Sequence, residues 1–295
     1  MIRDRVAGPG SATAGVPLGL DGCPREGSPH EEVERLLEDL RAGAIWDEAF
    51  GAYWRSLGGP TDPTVRWPPP HGRLNWIWLT DLGPLRAAVD LGSPFGTVAF
   101  DLVGEVQKGG SVSYLGRPSV YRDAVELRFQ ATEAEVALRV REGTGSESTP
   151  GDVDCVVFVG SEGYQYRLPE GWTEPEALVG RARELLRSGG WFVVLLPSPF
   201  ANLRSPRAWS RPSDRLSEIR RYRQIVKALE TSGFQEVRHY HSAPSLDVLG
   251  LLVPVDLTAV RGFLNARRPP RRAPQRVRPL LHPFLFPVRV LLARA

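Results

Sequence analysis

A glycine-bearing bend between an apolar strand and a helix is the segment of the sequence best suited to bind a ligand. It runs Val89-Asp-Leu-Gly-Ser-Pro-Phe-Gly-Thr97. Glycine permits the positive φ angles and the close backbone approach that a nucleotide-like ligand requires. The first turn of the following helix carries N–H groups without helical partners. In a doubly wound sheet such a bend lies at the carboxyl end of the first strand, where ligands bind.

The bend resembles the first motif of the class I S-adenosylmethionine (SAM) methyltransferases, acidic-x-Gly-x-Gly-x-Gly. Asp90, Gly92 and Gly96 fall on its first, second and last fixed positions. Three further segments follow in the order of that family: the fourth-strand motif at 152–160, the Gly-Gly segment at 185–196 and the helix-Gly-Phe-strand segment at 229–238. The resemblance, which covers Asn75 to Pro254, implies a Rossmann-like fold and SAM as cofactor. The residues it implies as cofactor-binding are Asp90, Gly92, Ser93, Gly96, Gly116, Glu142 and Gly160.

Two positions depart from the pattern of the family. Pro94 stands where the middle glycine is expected, and proline fixes φ at about −65° and has no N–H. Gly116 ends the second strand, where the family has an acidic residue that accepts hydrogen bonds from the ribose hydroxyls, and Arg117 follows with the opposite charge. Losing that charge-assisted pair of bonds would weaken binding roughly 10- to 100-fold. Both departures favour an alternative, a catalytically degenerate methyltransferase fold that serves as a binding or scaffold module.

Candidate catalytic side chains follow the fourth strand. Methyl transfer needs proximity and in-line geometry, and a general base only for a poorly acidic acceptor. Glu162 could be that base, and Tyr164 and Tyr166 could line an acceptor pocket; solvated loop residues are the simpler interpretation of all three. His239 and His241 share one face of the sixth strand, and we interpret them as structural or exposed. No segment has the spacing of metal ligands.

An alternation of strand and helix patterns must position these residues. The predicted strands are 86–91, 111–115, 135–140, 154–159, 191–196 and 234–241, with 249–255 beside the last. The predicted helices are 97–106, 120–130, 174–187 and 216–231, and the last two are closed by Gly189-Gly190 and Ser232-Gly233. Strands separated by helix-length segments predict an α/β fold with a Rossmann-like, doubly wound, mostly parallel sheet.

The regions that flank this α/β segment differ from it in composition. Residues 1–29 are rich in Gly, Pro, Ser and Ala, which predicts a disordered leader. Residues 30–74 carry apolar side chains at helical spacing and predict an N-terminal helical cap. Trp76 and Trp78 follow in a further short helix and are most simply core or lid residues, which in the leading hypothesis would cap the pocket. The Rossmann-like domain is assigned to 75–260, and residues 261–295 to an Arg- and Pro-rich tail.

The tail explains the basic charge of the chain. It holds nine arginines and no Asp, Glu or Lys, which leaves 28 basic against 34 acidic residues elsewhere, a net charge of −6. A mildly acidic body argues against a nucleic-acid-wrapping domain. A solvated disordered end is the simplest interpretation of the tail. Peripheral contact of 261–295 with an anionic membrane or a protein partner is the alternative, because apolar residues follow the charges, and nucleic-acid binding is the least favoured.

Localisation and function follow as expectations. The sequence has no signal-peptide core and no run of 18 apolar residues. Its two cysteines, Cys23 and Cys155, are not expected to form a disulfide, and Cys155 is interpreted as a small buried apolar residue. The protein is therefore expected in the cytoplasm, and the alternative is association with a membrane through the tail. The leading hypothesis is a SAM-dependent methyltransferase acting on a small molecule or on a glycan or natural-product intermediate.

Overall fold

The computed structural model describes residues 30–44, 82–118, 120–141, 151–160, 168–197, 212–243, 251–256, 258 and 288–295. The leader 1–29, most of the predicted cap and residues 259–287 therefore lie outside the described residues. The elements in chain order are α1 (His30–Arg41), β1 (Leu85–Leu91), a 3₁₀ turn (Pro94–Gly96), α2 (Thr97–Val103), β2 (Val106–Leu115), α3 (Val120–Gln130), β3 (Ala137–Arg141), β4 (Val153–Val159), α4 (Pro175–Leu185), β5 (Leu186–Pro197), α5 (Pro212–Thr231), β6 (Glu236–Ala243), β7 (Leu251–Pro254) and β8 (Val288–Arg294).

The eight strands form one mostly parallel sheet, in the order β3-β2-β1-β4-β5-β8-β6-β7. Strands β1 to β5 pair in parallel. β8 runs antiparallel to both β5 and β6, and β7 runs antiparallel to β6, so six of the eight strands share one direction. The first five positions have the order of the Rossmann fold. The predicted fold class, an α/β Rossmann-like sheet, is confirmed.

Strand β8 corrects the assignment of the tail. The sequence predicts that residues 288–294 belong to a tail separate from the domain, whereas in the structure they form a strand inside the sheet, between β5 and β6. Val290, Leu291, Leu292 and Ala293 are at most 1% exposed. Prolines interrupt the apolar pattern before this strand, so that from the sequence the apolar end is indistinguishable from an extension of the charged linker. The predicted contact with a membrane or a protein partner now concerns residues 261–287, outside the described residues, and stays a prediction.

Apolar side chains cover both faces of the sheet and form the core. On one face, α2 and α3 pack over β1, β2 and the central strands, with Val98, Leu102 and Val125 among the buried residues. On the other face, α4 and α5 pack over β4, β5 and β8, with Leu178 and Leu229 buried. α1 lies against α3. No helix in the described ranges is long and apolar enough to cross a membrane.

The two predicted glycine stops have different outcomes. α5 ends at Thr231, directly before Ser232-Gly233, as predicted. Gly189-Gly190 does not end a helix, because α4 stops at Leu185 and both glycines lie inside β5. The Gly189 N–H donates to the Ala295 carbonyl at 2.7 Å, and the Ala295 N–H donates to the Gly190 carbonyl at 2.9 Å. The glycines therefore join the end of β8 to β5.

Cys155 lies in the middle of β4 and is fully buried, as predicted. Burial, with a smaller contribution from the charge of Asp154, raises the pKa of the Cys155 thiol to about 12. A thiol with this pKa stays protonated at neutral pH, so Cys155 is a packing residue and not a nucleophile.

Asp154 fastens the start of β1 to β4, and its loss should destabilise the protein. Its carboxylate, 5% exposed, accepts hydrogen bonds from the backbone N–H groups of Arg86 (2.5 Å) and Ala87 (2.8 Å) and pairs with Arg187 Nε at 2.6 Å. We expect Asp154→Ala to lower the free energy of unfolding by about 2–4 kcal/mol, because two amides lose their acceptor. Arg187→Ala should cost under about 1 kcal/mol, since that side chain is 55% exposed. Urea unfolding of both variants tests this, and equal losses would contradict it.

Candidate functional site

The predicted bend lies where the sheet order changes direction. From β1 the chain continues to β2 and β3 on one side, and later to β4 and β5 on the other. The crevice at the carboxyl ends of β1 and β4 is therefore the topological switch point, where open α/β sheets bind ligands. The structure brings three predicted positions to this edge: the Asp90–Gly96 segment after β1, Gly116 after β2 and Gly160 after β4. Glu142, Glu162 and Tyr164 lie outside the described residues.

Asp90 organises the bend from within. Its carboxylate is fully buried and accepts hydrogen bonds from the Ser93 N–H (3.0 Å), the Ser93 hydroxyl (2.5 Å) and the Ala99 N–H (2.9 Å). The Ser93 hydroxyl in turn accepts from the Val98 N–H at 3.2 Å. Two amides of the first turn of α2 thus bond to side chains of the bend, and the negative charge lies at the positive end of the helix.

The backbone of the bend is left-handed at three residues. Gly92 has φ 62° and Gly96 has φ 65°, which glycine adopts without strain. Phe95 has φ 50° and ψ 25°, an uncommon conformation for a bulky residue. Phe95 is fully buried, and its carbonyl accepts a hydrogen bond from Arg128 Nη1 at 3.3 Å. Packing therefore holds a conformation that costs about 1–3 kcal/mol elsewhere.

The bend has little contact with solvent. Gly92, Ser93, Phe95 and Gly96 are all buried. A Cβ atom at Gly96 would meet the Val125 side chain at 2.9 Å, so α3 packs closely over the turn. The side chain of Pro94 is outside the described part of the chain. The bend has the left-handed glycines that close approach of a ligand requires, but these residues are covered by neighbouring atoms.

An aromatic ring closes the place where the family has an acidic residue. Gly116 follows β2, and a Cβ atom there would overlap the ring of Tyr114, with Cζ and Oη both 2.9 Å away. Tyr114 is 1% exposed and lies beside Asp90 in the register of β1 and β2. Tyr114 therefore occupies the space that a side chain at position 116 would need. The sequence pattern contains no signal for this contact.

Two glycine substitutions should change stability in opposite directions. We expect Gly116→Ala to destabilise the protein by about 1–3 kcal/mol, because the new methyl group meets a fully buried ring. Gly180→Ala on α4 should stabilise it by about 0.5–1 kcal/mol, because a Cβ there meets nothing within 4 Å and alanine favours helix. Thermal unfolding of both variants tests the pair. A stabilised Gly116→Ala variant would show that the Tyr114 ring moves aside.

Gly160 holds the end of β4 close to β5. Its N–H donates to the Leu195 carbonyl at 2.8 Å, and a Cβ atom at this position would overlap the Leu196 side chain. A larger residue here would require the Leu196 side chain to move, and Gly160 itself is buried at the carboxyl end of β4.

The two histidines lie farther along the same edge. His241 is fully buried and His239 is half-buried, and they face β8 at Arg289 and Leu291 respectively. Burial lowers the pKa of His239, with Glu230 opposing the shift and Arg289 adding to it. That they are structural or exposed residues, without a role as base or metal ligand, stays a prediction. β8 also brings Arg289 to this edge, a residue whose sequence position indicates only a charge of the tail.

The sequence matches no protein-family model, and no curated protein matches it. A SAM-dependent methyltransferase from Thermotoga maritima is similar in structure, with 11% identity, 78% of this chain and 93% of that chain covered, and a TM-score of 0.45. Geranyl diphosphate C-methyltransferase from Streptomyces coelicolor A3(2) is also similar in structure, with 13% identity, 84% of this chain and 83% of that chain covered, and a TM-score of 0.43. A third similar structure is precorrin-6y C5,15-methyltransferase from Geobacter metallireducens GS-15, with 14% identity, 80% of this chain and 94% of that chain covered, and a TM-score of 0.41. Similarity at this level carries no information about activity or substrate, and what the three solved structures share is that each is a methyltransferase.

Proposed function

We propose that the protein is a SAM-dependent methyltransferase that acts on a small molecule or on a glycan or natural-product intermediate. The observation that carries the proposal is the β1–bend–α2 unit at the switch point of the sheet. Its two left-handed glycines expose no side chain toward a ligand, and a buried carboxylate fixes the turn. No other described strand end combines these features.

The chain would bind and orient both reactants. Backbone atoms of Gly92, Ser93 and Gly96 would contact the cofactor, with Asp90 as the positioning residue behind them. Gly160, at the carboxyl end of β4, would lie beside it. SAM supplies an electrophilic methyl group when bound. Glu142 as a cofactor ligand, and Glu162 and Tyr164 as base and acceptor-pocket residue, stay predictions.

Calorimetric titration with SAM and with its demethylated product tests the proposal directly. We expect saturable heat with both ligands, and a rise in the unfolding midpoint at ligand concentrations well above Kd. Adenosine triphosphate serves as the control ligand, because it shares the adenosine but not the amino-acid part. No heat and no shift with either ligand at millimolar concentration would reject SAM binding.

A binding or scaffold module without catalysis is the second candidate, favoured by specific contacts. The bend is buried, and the Tyr114 ring covers the site at Gly116 where a ribose-binding carboxylate would stand. If this candidate is correct, the unmodified protein should not bind SAM, and Pro94→Gly should create measurable binding by giving the turn a third glycine. Gly116→Asp is a poor restoration, because it would collide with Tyr114. Tight binding by the unmodified protein would exclude this candidate.

A further inference from the structure

A polar cluster lies at the same edge of the sheet as the bend, three strands away. Arg289 at the start of β8 stands opposite Leu196 at the end of β5 and opposite His241 on β6. Tyr222 on α5 packs over it. At about 4.8 Å per strand, β8 lies roughly 14 Å from β1. The cluster and the bend could therefore hold two parts of one bound complex.

Arg289 is buried, and among the described residues it has no anionic partner. It is 9% exposed, and its Nη1 donates one hydrogen bond, to the Tyr222 hydroxyl at 3.3 Å. Its Nε has no hydrogen-bond partner among the described residues. Two other described arginines form short ion pairs, Arg187 with Asp154 at 2.6 Å and Arg238 with Glu236 at 2.5 Å.

An unpaired buried guanidinium is unfavourable unless something else satisfies it. Moving the charge out of water is costly, and one long hydrogen bond to a neutral hydroxyl does not offset that cost. The Nε edge of a guanidinium forms a planar fork that matches the two oxygens of a carboxylate or phosphate. A bound oxyanion would supply the missing partner.

The neighbours of Arg289 suit an anion. Burial raises the pKa of Tyr222, so its hydroxyl keeps its proton and can donate it to an oxyanion while accepting from Arg289. Burial also lowers the pKa of His239, which leaves that ring neutral at pH 7. Glu230, the acidic group that raises the pKa of both Tyr222 and His239, is exposed on α5. Arg289 is thus the charge that an anion would meet here.

We propose that Arg289, together with Tyr222, binds a phosphate or carboxylate group of the methyl acceptor. The identity of the ligand as an acceptor rests on the proposed function, whereas the oxyanion site rests only on the contacts of Arg289. The acceptor class is then an anionic small molecule or intermediate, whose charged group lies on β8 while the group to be methylated points toward β1 and β4.

Inorganic phosphate and acetate are the probes, titrated into the full-length protein and followed by the ¹⁵N–¹H signals of arginine Nε. The Arg289 signal is identified by its absence in Arg289→Met. We expect it to shift saturably with at least one probe in the wild type. Apparent affinity, from the rise in unfolding midpoint, should fall roughly 10- to 100-fold in Arg289→Met and less in Arg289→Lys. Arg238→Met, which removes a paired arginine, should leave it unchanged.

The stability of Arg289→Met separates a binding role from a structural one. A binding arginine should be replaceable by a buried apolar side chain without loss of stability, or with a gain. A strongly destabilised Arg289→Met variant, or no shift of the Arg289 signal with either probe, would overturn the oxyanion site. The affinity of Arg289→Met for SAM, measured by titration, should equal that of the wild type. If SAM does not bind the wild type but phosphate or acetate does, methyl transfer fails and the oxyanion site stands.

Discussion

Deleting residues 288–295 should leave the chain unable to form its sheet. β8 supplies the pairing partner of both β5 and β6, so its removal exposes two strand edges in the middle of the sheet. It also removes Val290, Leu291 and Leu292, each at most 1% exposed. Burying three such side chains contributes about 5–9 kcal/mol, at about 1.5–3 kcal/mol each. That range is comparable to the whole stability of a typical domain, about 5–15 kcal/mol.

Circular dichroism and urea unfolding of the truncated chain measure this effect. The expected result is the loss of the cooperative transition, together with aggregation through the open edges. Arg294→Ser in the full-length chain is the control, since this exposed residue contributes mainly through its position over the Trp191 ring, 5.6 Å from the centroid. It should cost under about 1 kcal/mol. A truncated protein that unfolds at the wild-type midpoint would mean that β8 is dispensable.

Asp90→Ala should be the most destabilising single substitution at the bend. The carboxylate accepts from two backbone amides and one hydroxyl, all in a fully buried environment. Without it, the Ser93 and Ala99 N–H groups lose their acceptor, and α2 loses a negative charge at its first turn. We expect a loss of about 3–5 kcal/mol in the free energy of unfolding.

Urea unfolding compares Asp90→Ala with Asp90→Asn and with Asp152→Ala. The asparagine keeps one acceptor oxygen but turns an NH₂ group toward an amide or the Ser93 hydroxyl, so it should recover only part of the loss. Asp152 is exposed, and its replacement should change stability by no more than about 0.5 kcal/mol. If Asp90→Ala is as stable as Asp152→Ala, the carboxylate does not hold the turn, and a direct ligand role becomes the better explanation.

The position of Asp90 also bears on what the bend can still do. A carboxylate used internally shapes the turn whether or not a cofactor binds, so its presence is compatible with an enzyme and with a degenerate scaffold. The contacts that distinguish them lie one strand away, at Tyr114 and Gly116. SAM titration therefore carries more information about function than any substitution in the bend.

Most of the architecture was determined by the sequence alone. Mainly apolar segments such as 154–159 and 86–91 predict strands in the centre of a covered sheet, because a strand there buries side chains on both of its faces. Helix-length amphipathic segments between them require parallel crossovers. The glycine-bearing bend after β1 was also predictable, because glycine permits the positive φ angles that such a bend requires.

The tertiary structure decided the contacts between distant residues. The C-terminal segment is a central strand because β8 pairs between β5 and β6, antiparallel to its neighbours. No local sequence pattern specifies this long-range pairing. Likewise, the Tyr114 ring over Gly116 and the burial of Arg289 beside Tyr222 depend on which neighbours surround them after folding. Residue type and spacing determine local conformation, whereas burial and pairing arise only when remote segments pack together.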